Sequence, residues 1–221
     1  MKAMILAAGR GERMRPLTDT TPKPLLQVRG KALIVRLIEA LVRAGIRGIV
    51  INHAHLGNVI EAALGDGRRF GAPIRYSREI EALGTAGGIA QALPFLGEEP
   101  FVVVNGDIFC DFDFPGLIAR TLGKHLAHLV LVANPPHHPE GDFALDGTQV
   151  LDADKPEWTF SGIGLYRPDL FEDIRPGSKG QLAPLLRAAM ARKQVSGEIH
   201  RGVWYDVGTP ERFAALNQTV A

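Results

Sequence analysis

The heaviest constraint on this chain is a rhythm: short apolar runs rich in Ile and Val alternate with segments of helical period. Residues 2–8 form an apolar run closed by Gly9, the pattern of a buried strand. Residues 31–44 place Leu33, Ile34, Leu37, Ile38 and Leu41 on one helical face and stop at Gly45. Strand-like runs follow at 48–52, 73–77 and 101–105, with helix-like segments at 56–64 and 86–93 between them. Such alternation predicts an α/β fold, a mostly parallel sheet with helices on both faces. Ligands of such sheets bind beyond the carboxyl ends of the strands. The polar motifs of this half sit there: a glycine-rich run after the first strand, Asn52-His53 after the second, and Gly106-Asp107 after the run at 101–105.

The second half is less regular. Residues 128–133 read as a strand and 134–139 as a proline-rich loop. Residues 143–145 and 149–151 flank Asp146-Gly147, a hairpin signal. A longer strand spans 158–166 and an amphipathic helix 181–193. At 204–213 a strand runs into a helix, with Thr209 as N-cap and Pro210 in the first turn. No linker or internal repeat interrupts the chain. The expectation is one domain over residues 1–221, without a C-terminal β-helix.

Composition narrows the function. The 221 residues carry a formal net charge of +1, without the basic excess of a duplex nucleic-acid binder, so any recognition of an anion has to be local. A single cysteine, Cys110, rules out an intrachain disulfide framework and a zinc site of several cysteines, and a cytoplasmic protein is the simplest expectation. The N-terminal apolar run is too short for a signal peptide, and nothing approaches the roughly 20 apolar residues of a membrane span.

Five motifs carry chemistry, each with a plainer alternative. In Gly9-Arg-Gly-Glu-Arg-Met-Arg-Pro16, glycines directly after a strand let backbone amides face phosphate oxygens, and Arg13 and Arg15 add forked donors. The alternative is an ordinary βα turn with solvated arginines. The run lacks the Gly-Lys-Ser/Thr of a Walker loop, and Met14 stands where a dinucleotide fingerprint needs its third glycine. In Pro22-Lys23-Pro24 the prolines stiffen the backbone around a lysine suited to a phosphate, or to a surface turn. Asp107, just past a buried strand, suits a magnesium ligand or a turn cap. Asp206, at a strand end far away in sequence, has the same two readings. Glu79 with the glycine-rich 83–88 stretch could read the edge of a base, or form a flexible loop.

Together these motifs resemble the sugar nucleotidyltransferase family, also called nucleotide-sugar pyrophosphorylases. Its pattern Leu-Ala-Ala-Gly-x-Gly-Thr-Arg-x-x-Pro-Leu-Thr, followed by Pro-Lys-Pro, appears as Leu6 to Thr18 and Pro22 to Pro24. Its Gly-Asp appears as Gly106-Asp107 and its Trp-x-Asp-x-Gly-Thr as Trp204 to Thr209. The resemblance implies a Rossmann-like three-layer α/β/α sandwich around a mixed, mostly parallel sheet, with a nucleotide-binding half (1–110) and a sugar-phosphate half (111–221). It implies a nucleotide site of Ala8, Gly9, Gly11, Glu12, Arg13, Lys23, Glu79, Gly84 and Asn105. Arg13, Lys23 and Asp107 become the catalytic groups, and Asp107 and Asp206 the ligands of one or two Mg2+ ions. Gly141, Asp142, Asp154, Ser161 and Gly162 fall at or near sugar-phosphate positions. Glu12 departs from the usual Thr or Ser, and Asp154-Lys155-Pro156 from the usual Glu-Lys-Pro.

Within the family, Gly9 to Pro16, Ile51 to Ala54, Gly141 to Phe143, Phe160 to Ile163 and Asp206 to Thr209 look closest to a bacterial cell-wall recycling subgroup. That subgroup joins UTP to N-acetylmuramate 1-phosphate. Glucose, mannose or N-acetylglucosamine 1-phosphate, or a phosphocholine-type acceptor, are the alternatives; a non-catalytic nucleotide sensor would be expected to lose Arg13, Lys23 or Asp107. The implied partners are UTP and a sugar 1-phosphate, with neither nucleic acid nor membrane; the sequence leaves oligomeric state open.

Overall fold

The fold was obtained as a computed structural model, which describes residues 1–219. In chain order the elements are β1 (Ala3–Leu6), β2 (Gln27–Val28), β3 (Lys31–Ala32), α1 (Leu33–Arg43), β4 (Ile49–His53), α2 (Gly57–Leu64), β5 (Ile74–Arg78), α3 (Gly84–Leu96), β6 (Phe101–Asn105) and β7 (Ile108–Cys110). There follow α4 (Phe114–Ile118), β8 (Ala127–Ala133), β9 (Ala144–Asp146), β10 (Gln149–Leu151), β11 (Trp158–Tyr166), α5 (Leu182–Ala191), β12 (Val195–Ile199), β13 (Trp204–Asp206) and α6 (Pro210–Thr219). A 9-stranded sheet runs β5-β4-β1-β6-β11-β8-β12-β10-β9. Strands β5, β4, β1 and β6 are mutually parallel, and β11 enters antiparallel between β6 and β8.

The pleat explains the two faces. Successive side chains of a strand point to opposite sides. Ala3 and Ile5 pack with Ile34, Leu37, Ile38 and Leu41 of α1 and Ile60 and Leu64 of α2. Met4 and Val50 point the other way, onto Ile89 and Ala90 of α3 and Leu186 and Ala189 of α5. Helices therefore cover both faces, as the alternation predicts. Each fully buried Leu or Ile contributes about 1.5–3 kcal/mol.

Helix α3 starts at Gly84, ahead of the segment read as helical, and runs through Pro94 to Leu96. Its glycines suggest a loop in sequence, but they are packing positions. The N–H groups of Ala86 and Gly87 donate to Gly180 O at 3.0 and 3.2 Å. A methyl group at Gly88 would meet Asn52 Nδ2 at 2.7 Å and Glu79 Oε1 at 2.8 Å. The short β2–β3 hairpin, β7, α4 and β12 are additions to the sequence reading.

In β11 the register shifts between Phe160 and Ile163. Gly162 sits there at φ 81°, and a methyl group on it would fall 2.5 Å from Asn105 Nδ2. The bulge thus seats the second half of the chain against the end of β6. Strand β13 pairs with β7, and Val207 N–H donates to Asp107 O at 2.9 Å. That pairing carries Asp206 from the far end of the sequence to the neighbourhood of Asp107.

Candidate active site

The glycine-rich run leaves β1 as a loop anchored at its far end. Gly11 is left-handed (φ 67°) and starts a single 3-10 turn over Glu12–Met14. Met14 N–H donates to Gly11 O at 2.9 Å, and Thr18 Oγ1 donates to the same oxygen at 2.8 Å. Met14 is buried with Leu26, Val28, Leu33, Val207 and Leu216, which pins the loop to the C-terminal helix. A methyl group at Gly9 would meet nothing within 4 Å. Among the described residues, no hydrogen bond engages the N–H groups of Gly9, Arg10, Gly11 or Glu12. These amides form an open cradle for an anion. Arg13 is exposed beside them, lines a cavity with Gly9, Gly11, Lys23, Asp107 and Gly208, and makes no ion pair among the described residues. Glu12 is exposed and only loosely paired, 3.9 Å from Arg10.

Lys23 opens a short turn between buried Pro22 and Pro24, and its Nζ donates to Asp107 Oδ2. Asp107 follows Gly106, whose N–H donates to Leu6 O at 2.8 Å and where a methyl group would lie 2.6 Å from that oxygen. Only glycine lets β6 turn this close to β1. Asp206 is held by Arg212, whose Nη1 donates to both carboxylate oxygens at 2.8 and 2.7 Å, and His137 Nε2 lies 2.9 Å away.

Asp107 and Asp206 suit a hard divalent cation. They supply oxygen donors, their side chains are 32% and 28% exposed, and each already holds a basic group. Among the described residues, no group of three acidic, imidazole or thiol ligands gathers. The protein would offer two carboxylates, leaving the other positions to phosphate oxygens and water, as magnesium prefers.

Beyond the cradle lies a cavity of about 260 Å3 lined by Leu6, Ala8, Gly9, Lys23, Asn52, Gly84, Thr85, Asn105 and Asp107 among others. Glu79 does not line it. It is 7% exposed, accepts Asn52 Nδ2 at 2.7 Å through one oxygen and Leu83 N–H at 2.9 Å through the other. Asn52 Oδ1 in turn accepts Ala7 N–H at 3.0 Å. Glu79 therefore braces the pocket from behind. Asn52, one of the polar residues expected at a strand end, lies outside the residues expected to hold the nucleotide but lines the cavity. Thr85, within the glycine-rich 83–88 stretch, is also outside that set: its hydroxyl has no partner among the described residues and borders the cavity.

A second, more apolar cavity of about 760 Å3 opens on the other side of Asp206. Asn134, His137, Trp204, Tyr205, Arg212 and Leu216 are among its walls. The five residues placed in sequence at the sugar-phosphate site do not share this lining. Gly141 (φ 71°) packs against Asn134, and Gly162 packs against Asn105. Asp142 accepts Phe160 N–H at 2.8 Å and lies 3.1 Å from His138. Ser161 is buried, donating to Val130 O at 2.7 Å across the bulge. Asp154 is exposed on the turn before β11. Gly141 thus lies behind Asn134, a wall of this cavity, and Gly162 behind Asn105, a wall of the first.

A family model described as nucleotidyl transferase matches residues 2–221. The chain belongs to the nucleotidyl transferase family. This nucleotidyltransferase is 57% identical over 219 residues to N-acetylmuramate alpha-1-phosphate uridylyltransferase of Neisseria meningitidis serogroup B, covering 95% of this chain and 94% of that one. It is 32% identical to a mannose-1-phosphate guanylyltransferase catalytic subunit beta of Dictyostelium discoideum, but spans only 62% of that protein. Among solved structures, HddC of Yersinia pseudotuberculosis superimposes with a TM-score of 0.80 at 22% identity, covering 100% of this chain and 99% of that one. That likeness speaks for the fold.

Other reactive side chains of the nucleotidyltransferase are structural. Burial pushes the Cys110 thiol up to about 11, which removes it as a nucleophile. His53 is buried with Nε2 2.7 Å from Glu61. Trp204 donates its indole N–H to Ser161 O at 2.9 Å. No helix is long and apolar enough to cross a membrane among the described residues.

Proposed function

We propose that this nucleotidyltransferase transfers the uridylyl group of UTP to N-acetylmuramate α-1-phosphate, releasing pyrophosphate, in the cytoplasmic recycling of cell-wall sugar. The observation that carries the reading is the 57% identity to a uridylyltransferase of that name across nearly the full length of both chains. Residues 1–110 would hold the nucleotide, and residues 111–221, through the cavity beside Asp206, the acceptor.

The reaction needs little covalent help. An oxygen of the sugar 1-phosphate is already ionised near neutral pH, so no general base is required. It attacks the α-phosphorus; the new P–O bond forms as the bond to the β-phosphate oxygen breaks, and pyrophosphate departs with the electron pair. The obstacle is the meeting of two polyanions. The free amides of Gly9 to Glu12 and the unpaired Arg13 would take the phosphates. Lys23, presented by its flanking prolines, would serve the reacting end. Asp107 and Asp206 would hold magnesium, which supplies charge neutralisation at the phosphates when bound. Asn52 and Glu79 would keep the pocket walls in register, sparing reorganisation in the transition state.

A pyrophosphate-release assay with magnesium tests this, crossing UTP, dTTP, GTP and CTP with the 1-phosphates of N-acetylmuramate, N-acetylglucosamine, glucose and mannose. The expected result is highest kcat/KM for UTP with N-acetylmuramate 1-phosphate. Turnover of glucose 1-phosphate but not the muramate would overturn the acceptor assignment alone. No turnover with any sugar 1-phosphate would overturn the reaction.

A further inference from the structure

Asp206 meets Arg212 in an unusual way. The residue sits in the first turn of α6, its N–H on Thr209 Oγ1 at 3.3 Å. Its side chain doubles back across Gly208, where a methyl group would overlap Arg212 Nη2. The missing side chain at Gly208 is thus the path by which the guanidinium reaches the carboxylate. A structural Arg–carboxylate pair commonly uses two nitrogens on two oxygens. Here Nη1 alone serves both oxygens, while Nε is buried and has no hydrogen-bond partner. A buried donor left without a partner destabilises the arrangement that holds it. The pairing neutralises Asp206 without satisfying Arg212. The guanidinium also lines the cavity of about 760 Å3, so it has somewhere to go. Lys23 stands in a similar relation to Asp107, a basic group on a carboxylate, although Asp206 also has His137 Nε2 at 2.9 Å.

We propose that Arg212 is the resident counter-cation of Asp206: it occupies the carboxylate while no metal does, yields it when a divalent cation binds, and turns toward the adjoining cavity. This rests on the reading of Asp206 as a metal ligand, but not on the identity of the acceptor. Arg212 is then a positioning residue whose competition sets how tightly the enzyme holds metal without nucleotide. Gly208 belongs to the same device, since only a residue without a side chain lets the guanidinium through.

The test is Mn2+ binding to the full-length protein without nucleotide or acceptor, read from the electron paramagnetic resonance signal of the free ion. Arg212→Gln removes the competitor, and binding tightens about threefold or more. Gly208→Ala keeps the charge but pushes the guanidinium away, and shifts binding in the same direction. Adding Asp206→Asn to Arg212→Gln abolishes the gain. Affinities of folded Arg212→Gln and Gly208→Ala at or below the wild-type value would overturn the proposal. So would a gain that survives Asp206→Asn. If Arg212→Gln fails to fold, Gly208→Ala decides alone. Because no sugar or nucleotide is present, an error in the acceptor leaves the measurement standing, whereas loss of every sugar-phosphate activity strikes the proposed reaction first.

Discussion

The two ends of the cleft are built on different plans. On the side proposed to hold the nucleotide, short loops leave the carboxyl ends of the adjacent parallel strands β1, β4 and β6, and their groups converge because the strands do. On the side proposed for the acceptor, the cavity is walled by the end of β8, the proline-rich loop, the β12–β13 connection and α6, segments far apart in sequence. The first plan depends on local geometry repeated at neighbouring strands. The second depends on long-range pairing, above all β13 on β7 and the bulge of β11 on Asn105. Damage to the nucleotide side should therefore strike chemistry, and damage at the seams should strike the assembly of the cleft.

The largest expected effect is Asp107→Ala. Activity should fall by about 1,000-fold or more, with the thermal midpoint close to wild type, because the side chain is partly exposed and supports no core contact. A folded variant turning over at the wild-type rate would remove Asp107 from the chemistry. At the seam, Gly162→Ala should do the opposite. Its left-handed backbone and the 2.5 Å approach to Asn105 predict a loss of about 2–4 kcal/mol in stability, a fall of roughly 5–15 °C in Tm. An unchanged midpoint would mean that the two halves are not locked together there.

The same contrast explains what the sequence reveals. The nucleotide side is legible because glycines, prolines and carboxylates at strand ends have local causes. Gly9, Gly11, Lys23 and Asp107 are adjacent to the strand or turn that places them, and the structure gathers them around a shared cavity. The acceptor side is not legible in that way. Ser161 and Asp142 carry plausible polar groups, yet Ser161, at the register shift, bonds into the sheet, and Asp142 accepts a backbone amide. His137 flanks Asp206 only because distant strands bring the two segments together, whereas Arg212 reaches the carboxylate from the helix that follows it. Glu79 shows the limit on the better side: its type suggests reading a base, whereas its burial and its bonds to Asn52 and Leu83 favour a brace.

Glu79→Gln discriminates those two roles. Both carboxylate oxygens accept donors, so an amide must turn its NH2 toward Asn52 Nδ2 or Leu83 N–H. A cost of about 1–3 kcal/mol in stability is expected. As a brace, Glu79 acts on the pocket as a whole, so kcat/KM should fall by a similar factor for UTP and CTP. A change in their ratio would show that Glu79 reads the base directly.

The smallest effect concerns acid stability, where both halves carry a His–Glu–Arg cluster of different quality. In the nucleotide half, Arg78 grips Glu61 through two nitrogens at 2.7 and 2.6 Å, with His53 at 2.7 Å. Arg78 first, then His53, hold Glu61 down from 4.5 to about 2, against a burial that pushes the other way. In the acceptor half, His128 and then Arg120 lower Glu198 more loosely: His128 Nε2 is 3.6 Å away and has no hydrogen-bond partner. A carboxylate lowered by folding stabilises the native state above its unfolded value. Glu61 therefore contributes fully above pH 4.5, loses that contribution as the pH falls, and contributes nothing below about 2. The cluster is near the surface, so the contribution is about 1 kcal/mol or less. Glu61→Gln should lower Tm by a few degrees at neutral pH and converge on wild type in acid, while Glu198→Gln should show a weaker version of the same convergence. Parallel Tm curves for Glu61→Gln and wild type across that range would show that the bidentate grip of Arg78 stabilises nothing.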